Sequence, residues 1–304
     1  MSHREIEVFR AVVTSGSTAR AAELLGISQP AVSQAVLRLE RDCRVPLFDR
    51  VRGRMIPTHA AHVLMTAIDR YFVGYESVEN VIRSLGSFAE GRLTVAALPA
   101  IGNCFIPRVI AAFMQEHSSV QVSLQVASSR DVHQHVVSGA VDFGIMAPEM
   151  PSAGLEHSSF SSCDGVIAMR AGHPLARKKV LKMEDLSTDS FISATSEDVT
   201  RQDFEEQLRR HGVALKTVVE TPYAISACEL ARCGAGISLV HPIAAVDFLT
   251  KGLVIRRLSF SVPYDDVLIF RPGMALNATA RQLLTTMRTQ LAEEKATIEA
   301  ALNA

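Results

Sequence analysis

One segment, TARAAELLGISQPAVSQAVLRLE at 18–40, constrains the fold of this chain more than any other. Two runs of helix formers flank a Gly-Ile-Ser break. Gly26 permits the left-handed turn that reverses the chain sharply. Ser28 has the side chain of an N-cap, and Pro30 falls in the first turn, where its missing N–H costs nothing. Upstream, Ile6, Phe9 and Val13 stand at helical spacing, so 3–14 reads as an amphipathic helix. Ser15-Gly16-Ser17 ends it, and Ser17 caps the next helix, Thr18 to Leu25. Short helices joined across a glycine-containing turn make a helix-turn-helix.

The second helix of that pair has two unlike faces. Val32, Val36 and Leu39 share the side that must be buried. Opposite them lie Pro30, Ser33, Gln34, Leu37, Arg38 and Arg41, with Ser28 and Gln29 at the same end as Pro30. Base edges need compact hydrogen-bonding groups and phosphates need positive charge, and this face supplies both in order along its length. A merely solvated helix would account for Arg38 and Arg41, but not for an outward Leu37 beside a Ser-Gln-Pro-Ser surface. LFDRVRGRMIPT follows at 47–58, with Arg50, Arg52 and Arg54 around Gly53 between two β-like stretches. A basic-tipped hairpin after a helix-turn-helix is a wing that grips the phosphate backbone or the minor groove.

Charge distribution agrees. Residues 1–60 carry nine Lys/Arg against six Asp/Glu, whereas the whole chain of 304 residues has a formal net charge of −1. A basic head on an acidic body is the asymmetry of a nucleic-acid module joined to something else. The length asks for more than one domain, and 48% hydrophobic residues suffice for sizeable cores. No apolar run spans a bilayer, and the opening MSHREIEVFRAVV has charges where a secretion signal needs its apolar centre. Five cysteines, at 43, 104, 163, 228 and 233, form no C-x-x-C pair, which fits a reduced, cytoplasmic protein with ordinary thiols and no metal.

From Thr58 to about Phe88 there is little turn chemistry. Leu64, Ile68, Tyr71, Tyr75, Val78, Ile82 and Leu85 recur at spacings of four and three, a stripe for pairing with a second helix. At about 1.5 Å per residue such a helix is roughly 40 Å long, more than a small domain needs. Beyond Gly91, RLTVAAL (92–98), VQVSLQV (120–126) and VDFGIMA (141–147) alternate with helical segments, the signature of a parallel sheet covered on both faces. A second set follows: GVIAMR, SFIS, TVVE, GISLV, LVIRRL and DVLIF, then an amphipathic helix from about Ala278 that is expected to return to the first lobe. Ligands of open α/β sheets bind beyond the carboxyl ends of strands, at helix N-termini. That rule selects Pro99, Ala100 and Ile101, Ser128 and Ser129, Met146 and Ala147, Ser193 to Ser196 with Thr195, and Thr221 with Pro222. Hydroxyls and amides dominate, which suits a small carboxylate.

AAELLGISQPAVSQAVLRLE followed by VPLFDRVRGRMIPT resembles the winged helix-turn-helix of LysR-type transcriptional regulators, and the similarity runs along essentially the whole chain. GHPLA (172–176) and CGAGISLVHP (233–242) are similar to segments of the family's effector domain. The resemblance implies an α/β architecture of three parts: a winged helix-turn-helix over 1–60, a long linker and dimerisation helix over 61–90, and an effector domain over 91–304. That domain would be two-lobed and like the type 2 periplasmic-binding proteins, with lobe I at about 91–162 and 268–304, lobe II at about 163–267, and crossing strands near 163 and 265. It further implies a homodimer or homotetramer on double-stranded DNA with an interrupted inverted repeat, a small anionic effector meeting Ser128-Ser129, and contact with RNA polymerase as an option. AALPAIGN and YFVGYESVENV look closest to the opine- and amino-acid-sensing branch, in which case Glu197 or Asp198 could meet an ammonium group. Two positions depart from the family pattern: Gln34 where Arg is common, and Arg44 where a helix-ending Gly is usual. A DNA-binding regulator without effector stays open as an alternative. An α/β enzyme is the rival class, but the chain has no G-x-S-x-G, P-loop, dinucleotide fingerprint or H-E-x-x-H, and His133 and His135 lie two apart on a helix and diverge.

Overall fold

The computed structural model describes residues 2–51, 54–68, 92–148, 154–273 and 276–304, with backbone only at 50 and 51. The chain divides into two compact units, Met1–Val78 and Glu79–Ala304.

In the first unit, helix α1 (His3–Ser15) opens with a capping box between Ser2 and Glu5. Helix α2 (Thr18–Leu25) is capped by Ser17 and closed by Gly26 at φ 63°, a conformation in which a Cβ would be strained. Helix α3 (Gln29–Cys43) starts at Ser28, whose hydroxyl accepts the Ala31 amide. Its C-cap is Arg44 at φ 57°, the one non-glycine among the described residues with positive φ. Strands β1 (Phe48–Val51) and β2 (Arg54–Pro57) pair antiparallel, with Val51 opposite Arg54, and so leave a two-residue connection. Residues 59–68 form α4. Ile6, Phe9, Val12, Val32, Val36, Leu39 and Leu47 make one core, as their helical spacing requires. One side chain and one backbone bond fix the hairpin to it. The Glu40 carboxylate accepts the amides of Leu47 (2.8 Å) and Phe48 (3.2 Å), and the Met55 amide donates to the Gly16 carbonyl.

Ile68 is buried in this same core and Leu64 packs against it. The first two positions of the expected dimer stripe are therefore spent inside the head. Tyr71, Tyr75, Val78, Ile82 and Leu85 lie outside the described residues.

The second unit opens with β3 (Arg92–Ala97), α5 (Pro99–Gly102), α6 (Phe105–Glu116), β4 (Gln121–Val126), α7 (Ser129–Val137) and β5 (Phe143–Met146). Next come β6 (Glu156–Asp164), β7 (Val166–Arg170), β8 (Val180–Leu181), β9 (Ser190–Ser193), α8 (Val199–Arg210) and β10 (Lys216–Glu220). The chain ends through α9 (Ala224–Arg232), β11 (Ser238–Val240), α10 (Pro242–Leu249), β12 (Leu253–Leu258), β13 (Pro263–Phe270) and α11 (Ala278–Asn303).

One sheet has the order β4-β3-β5-β13-β6, and a second has β11-β7-β12-β8, with the β10-β9 pair bridged to it through Phe191 and Ile237. Neither sheet is wholly parallel, contrary to the expectation. β13 runs antiparallel to both β5 and β6, and β7 antiparallel to β11 and β12. The cause is the double crossing: β6 leaves the first lobe at Asp164 and β13 re-enters it at Pro263, side by side. Gly165 at that crossing is tight, since a Cβ there would stand 2.7 Å from the Tyr264 ring and 2.8 Å from Leu239.

The last helix also differs from expectation. α11 packs on α6 of the first lobe but equally on α10 and β12 of the second. Arg108 of α6 grips Glu294 of α11 with two 2.7 Å hydrogen bonds and also pairs with Asp247 of α10. One guanidinium thus ties both lobes to the strap. Cys104 and Cys228 sit in this seam, and burial pushes their thiols up to about 11 and about 12.

Candidate functional site

The reading face of α3 emerges as the periodicity requires. Val32 and Leu39 are buried, whereas Pro30, Gln34, Leu37, Arg38 and Arg41 are exposed and Ser33 is half-buried. Leu37 keeps 46% of its surface, unusual for a leucine at a helix centre and suited to apolar contact with a thymine methyl. Several of the polar groups already have partners. Gln29 Nε2 donates to Thr18 Oγ1 (3.3 Å), Ser28 is the cap, and Arg38 lies 3.5 Å from Glu5. Ser33 and Gln34 are thereby left as the compact outward hydrogen-bonding side chains in the first two turns. Arg54 is exposed on β2, Arg50 is on β1, and Arg52 lies outside the described residues.

In the second unit a cavity of about 790 Å³ opens between the lobes. Pro99, Ala100, Ser128, Ser129, Ala147, Thr221 and Pro222 line it, as the strand-end rule selects. Ser128 Oγ accepts the Asp131 amide (3.2 Å) and lies 2.7 Å from the Asp131 carboxylate, so it is first a helix cap. Ser129 Oγ accepts the Ala147 amide (3.2 Å), which ties α7 to the end of β5.

Five expected contacts do not reach the cavity, among them Ser196, whose carbonyl accepts from Gln202 Nε2 (2.8 Å). Ile101 is fully buried in the inter-lobe core, because α5 turns it inward against α6. Met146 packs with Val132 and Val136 beneath α7, and its neighbour Ala147 takes the cleft position. The Ser193 hydroxyl is engaged by Thr217 at 2.9 Å, between adjacent strands. Thr195 is absent from the lining and uses its carbonyl to accept the Asp198 amide (3.0 Å).

The lining also holds residues that the strand-end rule passes over. Glu197, Asp198, Asp203, Glu206, Asp265 and Asp266 face it, against Arg210 as its one guanidinium. Carboxylates on this wall favour a cationic group on a ligand, the contact expected for Glu197 or Asp198 in the amino-acid-sensing reading. The signal lay in α8: Phe204 and Leu208 are its buried pair, which leaves Asp203, Glu206, Gln207 and Arg210 as a stripe at spacings of three and four. Asp265 and Asp266 come from the crossing strand β13, whose place no local pattern gives. Opposing the carboxylates, the first residues of α7, α8 and α9, Ser129, Val199 and Ala224, line the cavity, so helix N-termini supply positive potential.

At the cleft floor, wholly buried His241 caps α10. Its Nδ1 accepts the Ile243 amide (3.2 Å), and its Nε2 lies 3.2 Å from Asp266 and 3.7 Å from Cys163 Sγ. Burial disfavours the imidazolium, yet the hydrogen bonds to Asp266 and Cys163 raise the ring's pKa to about 10. The Ile243 amide opposes that charge, because it needs a lone pair on Nδ1 and the helix turn fixes it there. With Nδ1 accepting from the Ile243 amide, Nε2 is the ring nitrogen that donates toward Asp266. Tyr264 meets the His241 ring edge-on at 5.2 Å; burial, then the Asp198 and Cys163 charges, push its phenol up and keep it protonated. Cys163, His241 and Asp266 do not make a nucleophilic triad, since Cys and Asp share one ring nitrogen and the other is taken. Among the described residues no group of three or more His, Cys, Asp or Glu could hold a metal ion, and no helix is long and apolar enough to cross a membrane.

Comparisons with known proteins agree with both halves of this picture. The model of the bacterial regulatory helix-turn-helix protein, lysR family, matches residues 3–62, and that of the LysR substrate binding domain matches 87–292. The transcriptional activator protein LysR of Escherichia coli is 36% identical over 276 residues, 90% of this chain and 89% of that protein. The octopine catabolism/uptake operon regulatory protein OccR of Rhizobium meliloti is 32% identical over 82% of each chain. Among solved structures, the LysR family regulator CbnR aligns with a TM-score of 0.63 at 19% identity, covering 95% of this chain and 99% of CbnR. CbnR complexed with its target DNA aligns at 0.62.

Proposed function

The chain belongs to the LysR family of DNA-binding transcriptional regulators, and from that premise we propose that its regulator activity answers to a small amino-acid-derived effector bearing an ammonium group, held between the two lobes. The composition of the cleft carries this reading: Glu197, Asp203 and Asp265 line a space that also holds the first residues of α7, α8 and α9, while Asp198, Glu206 and Asp266 are engaged by the α8 cap, by Arg209 and Arg210, and by His241. A carboxylate is favoured at the helix ends and a cation at the acidic wall, so a zwitterion with an additional positive charge satisfies both. One relative is by name an octopine catabolism/uptake operon regulatory protein, which supports an amino-acid-derived ligand class for this chain.

Control follows if the ligand prefers one arrangement of the lobes, because a ligand shifts an equilibrium only by its differential affinity for the two states. The reading head binds an interrupted inverted repeat as a dimer, Ser33 and Gln34 meeting base edges and the wing arginines meeting phosphates. Dimerisation runs through α4 and the stripe of Tyr71, Tyr75, Val78, Ile82 and Leu85 that follows it in the sequence. With Leu64 and Ile68 turned into the head, its pairing face starts from the side of Val63, which keeps 59% of its surface.

The test is calorimetric titration of the full chain with lysine and ornithine on one side and glutamate and succinate on the other. Heat and thermal stabilisation from the amines alone are expected. Binding of the dicarboxylates alone would sink the assignment.

A further inference from the structure

The outward face of α3 is chemically narrow, and that narrowness selects bases. From its cap Ser28 to Leu37 the helix holds no lysine or arginine. The cations that follow are drawn off the face: Arg38 pairs with Glu5 at 3.5 Å, and Arg41 Nε donates to the Leu37 carbonyl at 3.4 Å. Guanine is most commonly specified by a bidentate arginine or lysine at O6 and N7, so this stretch lacks that reader. It offers instead Gln34, exposed and without a hydrogen-bond partner among the described residues, and the exposed Leu37 three positions on. The other amide of the stretch, Gln29, is turned back onto Thr18 Oγ1 at 3.3 Å.

Resting on the base contact proposed above for Gln34, we infer that each half-site is read through A·T pairs, Gln34 taking an adenine and Leu37 a thymine methyl. A glutamine amide holds one acceptor and one donor in a plane, which match the adenine N6–H and N7 as a pair. Guanine shows two acceptors there and would leave Oε1 facing an oxygen or a ring nitrogen. Leucine offers only carbon, and the C5-methyl of thymine is the apolar group of the major-groove edge. The two side chains are neighbours: at i and i+3 their Cβ atoms lie about 5–6 Å apart, against a rise of about 3.4 Å per base pair. They therefore span the same pair or two adjacent ones, and an adenine met by Gln34 brings its own thymine into that span. Ser33, half-buried beside them, can donate or accept and does not set the choice.

The experiment gives the full chain a duplex pool randomised across both half-sites, and titrates the selected duplex by fluorescence anisotropy. Adenine should be enriched at the position that Gln34 governs, and Gln34→Arg should move that preference to guanine. Replacing each selected thymine in turn by deoxyuridine removes only the methyl, and at the Leu37 contact should weaken binding about fourfold, the worth of one buried carbon. In Leu37→Ala the same ratio should fall to about one, as a double-mutant cycle requires of a direct contact. Both side chains are exposed, so the variants should keep the head folded, which its unfolding midpoint checks. A G·C pair at the position that Gln34→Arg alters would overturn the inference, as would a methyl effect that persists in Leu37→Ala; sequence-specific binding would stand in either case. A pool that yields no preferred sequence would overturn the base contact of Gln34 as well.

Discussion

The reading head and the effector body solve their tasks with opposite means. In the head, the face proposed to read DNA is one side of one helix, and everything that aims it is close in the chain: the Ser28 cap, the Gly26 turn, and Glu40 holding the hairpin by two backbone amides. In the body, the cleft is assembled from pieces that start near residue 98 and end near 266, and the lobes bearing them are tied by the crossing strands, by the core beneath α11 and by the Arg108 guanidinium shared among α6, α10 and α11. A locally built surface can change one contact at a time. A cleft built by topology depends on how its two halves are held.

The sharpest break in that contrast is Arg108. Its replacement by Met strands the buried Glu294 carboxylate, whose side chain is 4% exposed, and should cost about 3–5 kcal/mol. Urea unfolding of the full chain would show it as a lowered midpoint of the body's transition. Removing both charges, Arg108→Met with Glu294→Leu, should recover much of that loss, and an unchanged single variant would mean the tie is idle. Ile68→Asp comes next. Because Ile68 is packed in the head, an unpaired charge there should abolish the head's cooperative unfolding and DNA binding together; a folded head that is merely monomeric would return Ile68 to the dimer stripe.

Smaller effects belong to the DNA face. Gln34→Ala should relax base preference at one position per half-site by about 1–3 kcal/mol, and Arg54→Ala should lower affinity for all sequences while flattening the salt slope by about one, both read by fluorescence anisotropy. Smallest is Arg44→Gly, which relieves a side chain held at φ 57° and should stabilise the head by about 1 kcal/mol.

What could be read in advance tracks the same contrast. Ser17, Gly26, Ser28 and the buried Val32, Val36 and Leu39 were legible because caps and a 3.6-residue period are properties of a short window. Ser128, Ser129 and Thr221 were legible because strand ends mark clefts. Strand β6 was not: EHSSFSSCD has no apolar alternation, since its pairing with β13 is set by the crossing and most of its side chains face solvent. Ile101, Met146 and Ser193 satisfied the strand-end rule yet turned inward, where packing and the Thr217 hydroxyl claim them. The sign of the cleft was hidden most deeply, because Asp265 and Asp266 acquire their position only from the double crossing.

That sign is the centre of the account, and competition between lysine and glutamate for one pair of proteins tests it most directly. The native chain and its Glu197→Lys, Asp265→Lys double variant would be titrated with both amino acids, and the ratio of the two Kd values compared. Both positions are exposed and on the lining, so the fold should tolerate the change. The account predicts that the native protein favours lysine and that the double variant inverts the preference toward glutamate. A native preference for glutamate, or a ratio that the two charge reversals leave unmoved, would contradict it.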